Sequence, residues 1–222
     1  MSKQMDNFKQ YKSRLEAALG AAKAEAVLKG AVYAISTGSN DLVENYFSRA
    51  TPRYLQYTLP AYTTYLMGIV HDFITELHSL GASKIGMVTL GTLGCLPPDR
   101  AIFGGLTCNE LHNSAARAFN EALRGTVQKL RTELPGSDVR VGEIYDLWEQ
   151  LTQDPARYGF ARADVGCCGT GRFEMGATCS ASLRTCPDHN AYLFWDAAHL
   201  TEHANKLFID HLMNGSYAGF AN

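Results

Sequence analysis

Apolar residues recur every three to four positions at Met5, Phe8, Tyr11, Leu15 and Leu19, the spacing that lines one face of an α-helix. Gly20 stands where such a helix would end. A short apolar run, Ala31 to Ile35, then meets the polar turn residues Ser36-Thr37-Gly38-Ser39-Asn40-Asp41, which predicts a buried strand running into a tight turn. Tyr62, Leu66, Ile69, Phe73 and Leu77 mark a long helix stopped near Gly81. The run Lys84 to Leu90 predicts a second buried strand, and Gly91 to Pro98 a loop. Thr107 and Glu110 have the spacing of a capping box, opening a helix that carries Leu111, Ala115, Phe119, Leu123, Val127 and Leu130. Val139 to Tyr145 predicts a third strand, and Leu147 to Leu151 a short helix. A last helix begins near Thr201, with Leu207, Phe208 and Leu212 on its apolar face.

Strands separated by helices of this length require right-handed crossovers, hence an α/β fold with a parallel sheet. Ligands of such sheets bind beyond the carboxyl ends of the strands. Two segments fall there: Gly38 to Asp41, and the late stretch Asp196 to His199. No linker composition divides the chain, so residues 1–222 are expected to form a single domain.

The composition narrows the partners. At 46% apolar and 19% charged the chain is globular, and a net charge of −2 gives no basic field for nucleic acid. The longest apolar stretch, near Tyr62 to Leu80, is broken by His71, Asp72, Glu76 and His78, so no membrane span is expected. Met1 to Gly20 is too polar to be a signal peptide. The six cysteines pull the other way. Cys167, Cys168, Cys179 and Cys186 crowd one glycine-rich loop, with Cys95 and Cys108 upstream. An even, clustered set points to disulfides and an oxidising compartment, with Cys167 and Cys168 taking separate partners. Zinc is the weaker alternative, because no C-x-x-C pair is present. The triplet Asn214-Gly215-Ser216 is a glycosylation sequon.

Three features could carry chemistry. In Asp196-Ala197-Ala198-His199 the carboxylate can accept from the near imidazole nitrogen, leaving the far nitrogen as a general base. The same spacing also suits a plain helix N-terminus, with Asp196 at the positive end of the dipole. His199-Leu200-Thr201-Glu202-His203 reads H-x-x-E-H, an inverted zinc-peptidase pattern, but its third ligand has little chain left to come from. In Gly38-Ser39-Asn40-Asp41 the Asn40 amide can donate to a developing oxyanion, a contribution typically worth about 10²–10³ in rate. These are also ordinary turn residues, and Asp41 can cap the following helix. Ser39 lacks a G-x-S-x-G context.

Taken in order, these pieces resemble the plant GDSL-type esterase/lipases of the SGNH hydrolase superfamily. Gly38-Ser39-Asn40-Asp41 is similar to that family's G-x-N-D block. VTLGTLGCLP (Val88 to Pro97), GCCGTG (Gly166 to Gly171) and FWDAAHLTE (Phe194 to Glu202) are similar to its later blocks. The resemblance implies a flavodoxin-like three-layer α/β/α sandwich. It implies Asn40, with Gly38, at an oxyanion hole, His199 as general base and Asp196 as its orienting carboxylate. It further implies an ester or lipid substrate, secretion, and no cofactor or metal.

The family's nucleophile is a serine in an N-terminal Gly-Asp-Ser block, and no such triplet occurs in this sequence. The chain therefore resembles the C-terminal portion of a member: an N-terminally incomplete domain, without a nucleophile and without the first strands of the sheet. In that reading it keeps only three strands. The Ala31 to Ile35 strand is left as an apolar sheet edge, able to pair with a partner. A non-catalytic paralogue that keeps the ester-binding cleft is the alternative.

Overall fold

A computed structural model of the chain describes residues 1–48, 53–102, 107–180 and 182–220. The order of elements is α1 (Ser2–Leu19), α2 (Ala21–Gly30), β1 (Val32–Ser36), a π-helical segment (Asp41–Phe47), α3 (Arg53–Gln56), α4 (Leu59–Ser79), β2 (Lys84–Val88), α5 (Pro97–Ile102), α6 (Glu110–Glu133), β3 (Asp138–Gly142), α7 (Tyr145–Gln153), β4 (Arg162–Gly166), β5 (Tyr192–Phe194) and α8 (Glu202–Asn214). They form two compact units. One comprises Met1–Thr89, Ala118–Gly142 and Ser216–Asn222; the other comprises Leu90–Arg117 and Glu143–Gly215.

The first unit holds a parallel sheet in the order β1-β2-β3, with Val32 opposite Lys84 and Lys84 opposite Asp138. Parallel pairing follows from the helical crossovers between successive strands. β2 buries Ile85, Gly86 and Met87 in succession, as an interior strand does. Gly86 leaves room for Tyr217, whose ring carbon would lie 2.6 Å from an added Cβ. Phe119, Leu123, Val127 and Leu130 of α6 are buried as their spacing predicts. On α4 the buried stripe runs through Tyr62, Leu66, Val70, Ile74 and Leu77. Ile69 and Phe73, read as its centre, are only half-buried. β1 is an edge of this sheet among the described residues, and Val32 is 45% exposed. On α1 only Met5 is buried, while Tyr11 and Leu19 of the expected stripe stand exposed.

The second unit holds a separate parallel pair, β4 with β5. Neither strand is visible in the hydrophobic pattern, so the count of three strands is corrected to five among the described residues. Trp148 of α7 packs against Phe194 and Phe208, with ring centroids 6.2 Å and 5.2 Å away. Thr201 caps α8, its hydroxyl accepting from the Ala204 amide at 3.3 Å. All six cysteines are paired as Cys95–Cys108, Cys167–Cys186 and Cys168–Cys179. That closes the zinc alternative for them and gives the adjacent Cys167 and Cys168 different partners.

Several local expectations change. α2 was not foreseen, and Gly91 to Pro98 contains the start of α5. Thr107 does not cap α6. Asn109 does, its Oδ1 accepting from the Leu111 amide at 3.1 Å. Leu111 lies on the solvent side at 63% exposed, while Asn113 in the same turn is buried. Asp41 lies inside the π-helical segment, with Asn40 at the cap position, and so does not cap it. No helix among the described residues is long and apolar enough to cross a membrane.

Candidate active site

Asp196 and His199 belong to the second unit and sit in the turn after β5. That turn is closed by the Trp195 amide donating to the His199 carbonyl at 2.8 Å. The turn rests on the end of β4: the Cys167 amide donates to Phe194 and the Cys168 amide to Trp195. An added Cβ on Gly166 would lie 2.5 Å from the Asp196 carbonyl oxygen, so only glycine admits this approach.

The Asp196 side chain is 3% exposed and fully engaged. Its Oδ1 accepts from the amides of Ala198 at 2.9 Å and His199 at 2.8 Å. Its Oδ2 accepts from the Gly176 amide at 2.9 Å. His199 Nδ1 lies 2.8 Å from Oδ2 and 3.0 Å from Oδ1. Burial pushes this carboxyl up, but the three amides and the imidazole outweigh it and hold it below the usual carboxylate range. Both oxygens of an ionised carboxylate are acceptors, so Nδ1 carries a proton, and in the neutral ring Nε2 keeps its lone pair. The His199 side chain is 64% exposed, which leaves Nε2 accessible.

α8 begins at Glu202, capped by Thr201, so Asp196 is not a helix-terminal residue. His203 turns away from any shared ligand. Its Nδ1 meets the Asn190 carbonyl at 2.9 Å and its ring packs on Phe160. Among the described residues no group of three or more His, Cys, Asp or Glu side chains is arranged to hold a metal.

Gly38 and Asn40 belong to the first unit, at the carboxyl end of β1. Gly38 has φ +109°, and an added Cβ would lie 2.4 Å from Phe119 Cζ. Its carbonyl accepts from the Leu42 amide at 3.0 Å, starting the π-helical segment. Asn40 is exposed and its side chain caps nothing. Beside Gly38 lies a small cavity of about 120 Å³, lined by Leu66, Ile69, Val70 and Phe119, with Thr37 and Asp41 among its polar lining.

Sequence reasoning missed Gly166 and Gly176. The first was visible only as part of a glycine-rich block, and the second has no local signal, because its contact spans 20 residues.

Comparison with known proteins identifies the family of the chain. The family described as GDSL-like Lipase/Acylhydrolase matches residues 1–212. GDSL esterase/lipase At2g04570 of Arabidopsis thaliana is 37% identical over 222 residues, covering 98% of this chain and 63% of the relative. GDSL esterase/lipase At4g26790 of the same plant is 36% identical with the same coverage. GDSL esterase/lipase APG, also from Arabidopsis thaliana, is 36% identical over 219 residues, covering 97% and 62%. The chain thus spans a little under two thirds of the length of these relatives. With the family match running across both units, the chain belongs to the GDSL-like lipase/acylhydrolase family.

Proposed function

We propose that this chain carries the general-base half of a carboxylic-ester hydrolase site. The observation that supports it is the buried, ionised Asp196 gripping Nδ1 of a solvent-open His199 at 2.8 Å. In this reading Nε2 takes the proton from an attacking hydroxyl as it bonds to the ester carbonyl carbon. It then returns the proton to the departing alcohol oxygen. The carboxylate stabilises the imidazolium between those steps. Asn40 donates to the oxyanion, and Gly38 holds the turn that presents it. The names of the relatives, esterase/lipase, support an acyl ester as substrate, and the three disulfides support a secreted protein.

No serine here stands in a Gly-Asp-Ser block, so the reading assigns the chain a base, its carboxylate and an oxyanion donor, but no nucleophile. The second reading is a binding or regulatory paralogue that holds esters without cleaving them.

Two assays test these statements. With a p-nitrophenyl acyl ester, the 222-residue chain and its His199→Ala variant are expected to turn over equally slowly. A phosphonate reagent is expected to label no serine. Turnover that His199→Ala abolishes, or a labelled serine, would show a nucleophile within the chain. The hydrolase reading itself is tested by joining the N-terminal portion of a relative, with its Gly-Asp-Ser block, ahead of this chain. The chimera is expected to hydrolyse the ester in a His199-dependent manner. A folded chimera that binds a non-hydrolysable ester analogue yet shows no turnover supports the paralogue instead.

A further inference from the structure

Two of the three amides that hold Asp196 come from its own turn, at Ala198 and His199. The third, Gly176, comes from the loop that the Cys168–Cys179 disulfide closes. Gly176 donates to Oδ2, the oxygen nearer to His199 Nδ1. The loop makes a second, backbone contact with the same turn, the Ala197 amide donating to the Glu174 carbonyl at 2.8 Å. We propose that the disulfide-closed loop 168–179 is a positioning element for the general base, with the Gly176 amide fixing the Asp196 carboxylate and, through it, the His199 ring.

The loop is built to hold that amide in place. The Thr178 hydroxyl accepts from the Met175 amide at 2.7 Å and donates to the Met175 carbonyl at 2.8 Å, locking the turn in which Gly176 sits. Gly176 has φ +54°, a conformation that suits glycine. The loop's own carboxylate is engaged within the loop. Glu174 accepts from the Thr170 hydroxyl at 2.7 Å and is held down to about 2, by that hydroxyl first and by loop amides after it. The end of β4 meets the Asp196 turn through Gly166, while the strand's charged residues, Arg162 and Asp164, pair with each other at 2.7 Å. Among the described residues the titratable side chain bonded to Asp196 is His199, and the contact from outside the turn that is left to tune it is the Gly176 hydrogen bond. A backbone N–H given to a carboxylate favours its ionised form, so withdrawing it weakens the acid.

This inference rests on the reading of His199 as the base, but its test needs no turnover. The measurement is the carboxyl ¹³C titration of Asp196, with Gly176 amide exchange as the report on the loop. In Cys168→Ser/Cys179→Ser the Gly176 amide is expected to exchange freely, and the Asp196 midpoint to rise by about one pH unit. Thr178→Val is expected to move it the same way by less, and Thr178→Ser, which keeps the hydroxyl, to restore it. Cys95→Ser/Cys108→Ser, which opens a different loop, is expected to leave the midpoint unchanged. Should the double serine variant fail to fold, the Thr178 pair decides alone. An Asp196 midpoint that stays put while the Gly176 amide is exposed would overturn the proposal, as would an equal rise in the Cys95/Cys108 control. A result of either kind leaves the ester-hydrolase reading to its own assay.

Discussion

Gly38 is held at φ +109° with Phe119 pressed against the place a Cβ would occupy. Phe119 is buried at 1% exposure and cannot yield without opening the core. Gly38→Ala is therefore expected to cost roughly 3 kcal/mol, combining backbone strain and overpacking, read as a lowered urea midpoint. Asp196 poses the opposite problem, a buried anion that is fully paired. Its native ionisation lies below the ordinary carboxylate value, so the stability it lends is complete above about pH 4 and is lost as pH falls through the native value. Asp196→Asn places an amide opposite three N–H donors and is expected to cost about 2 kcal/mol at neutral pH. Thermal scans across acid pH are expected to show a flatter acid limb in the variant; an unchanged limb would mean that Asp196 is not the group responsible. The D-x-x-H spacing was legible at this scale. What grips the carboxylate from 20 residues away was not, because periodicity and local propensity carry no record of such contacts.

At the scale of elements, legibility followed contrast between apolar and polar positions. The α6 stripe from Phe119 to Leu130 was readable because large apolar residues alternate with charged ones. α2 was missed because its inward positions are Ala24 and Leu28 in an alanine-rich run, where inside and outside look alike. β4 was missed because Arg162 and Asp164 interrupt it as an ion pair, and β5 because three residues give no period. The cysteines announced bridges but not their pairing, since partners are chosen by the folded path of the loop. Those bridges close separations of 13, 19 and 11 residues in the second unit. Each such loop is worth about 3 kcal/mol on chain-entropy grounds. Both tryptophans, Trp148 and Trp195, lie in that unit, so their fluorescence reports on it. Reduction with a dithiol is expected to lower the denaturant midpoint seen by tryptophan emission by several kcal/mol equivalents. A transition untouched by reduction would contradict a unit held by its bridges.

For the whole molecule, the parallel α/β architecture was legible from the alternation of strands and helices, whereas the division into two units was not. The first unit leaves β1 at the edge of its sheet among the described residues, with Val32 exposed. An apolar edge invites pairing with another strand, and a charge on it opposes that. Self-association through this edge is the expected behaviour. Val32→Lys is expected to lower the weight-average mass in sedimentation at high concentration, and equal masses for the two proteins would exclude the edge as the contact. The proposed hydrolase function, however, turns on one imidazole. The most direct measurement is ¹⁵N and ¹H NMR of His199 at neutral pH, with Asp196→Asn as the comparison. The Nδ1 proton is expected to be fixed by Asp196 and to resonate far downfield, and that signal is expected to be lost in the variant. A neutral ring protonated on Nε2, or a spectrum indifferent to Asp196→Asn, would contradict it.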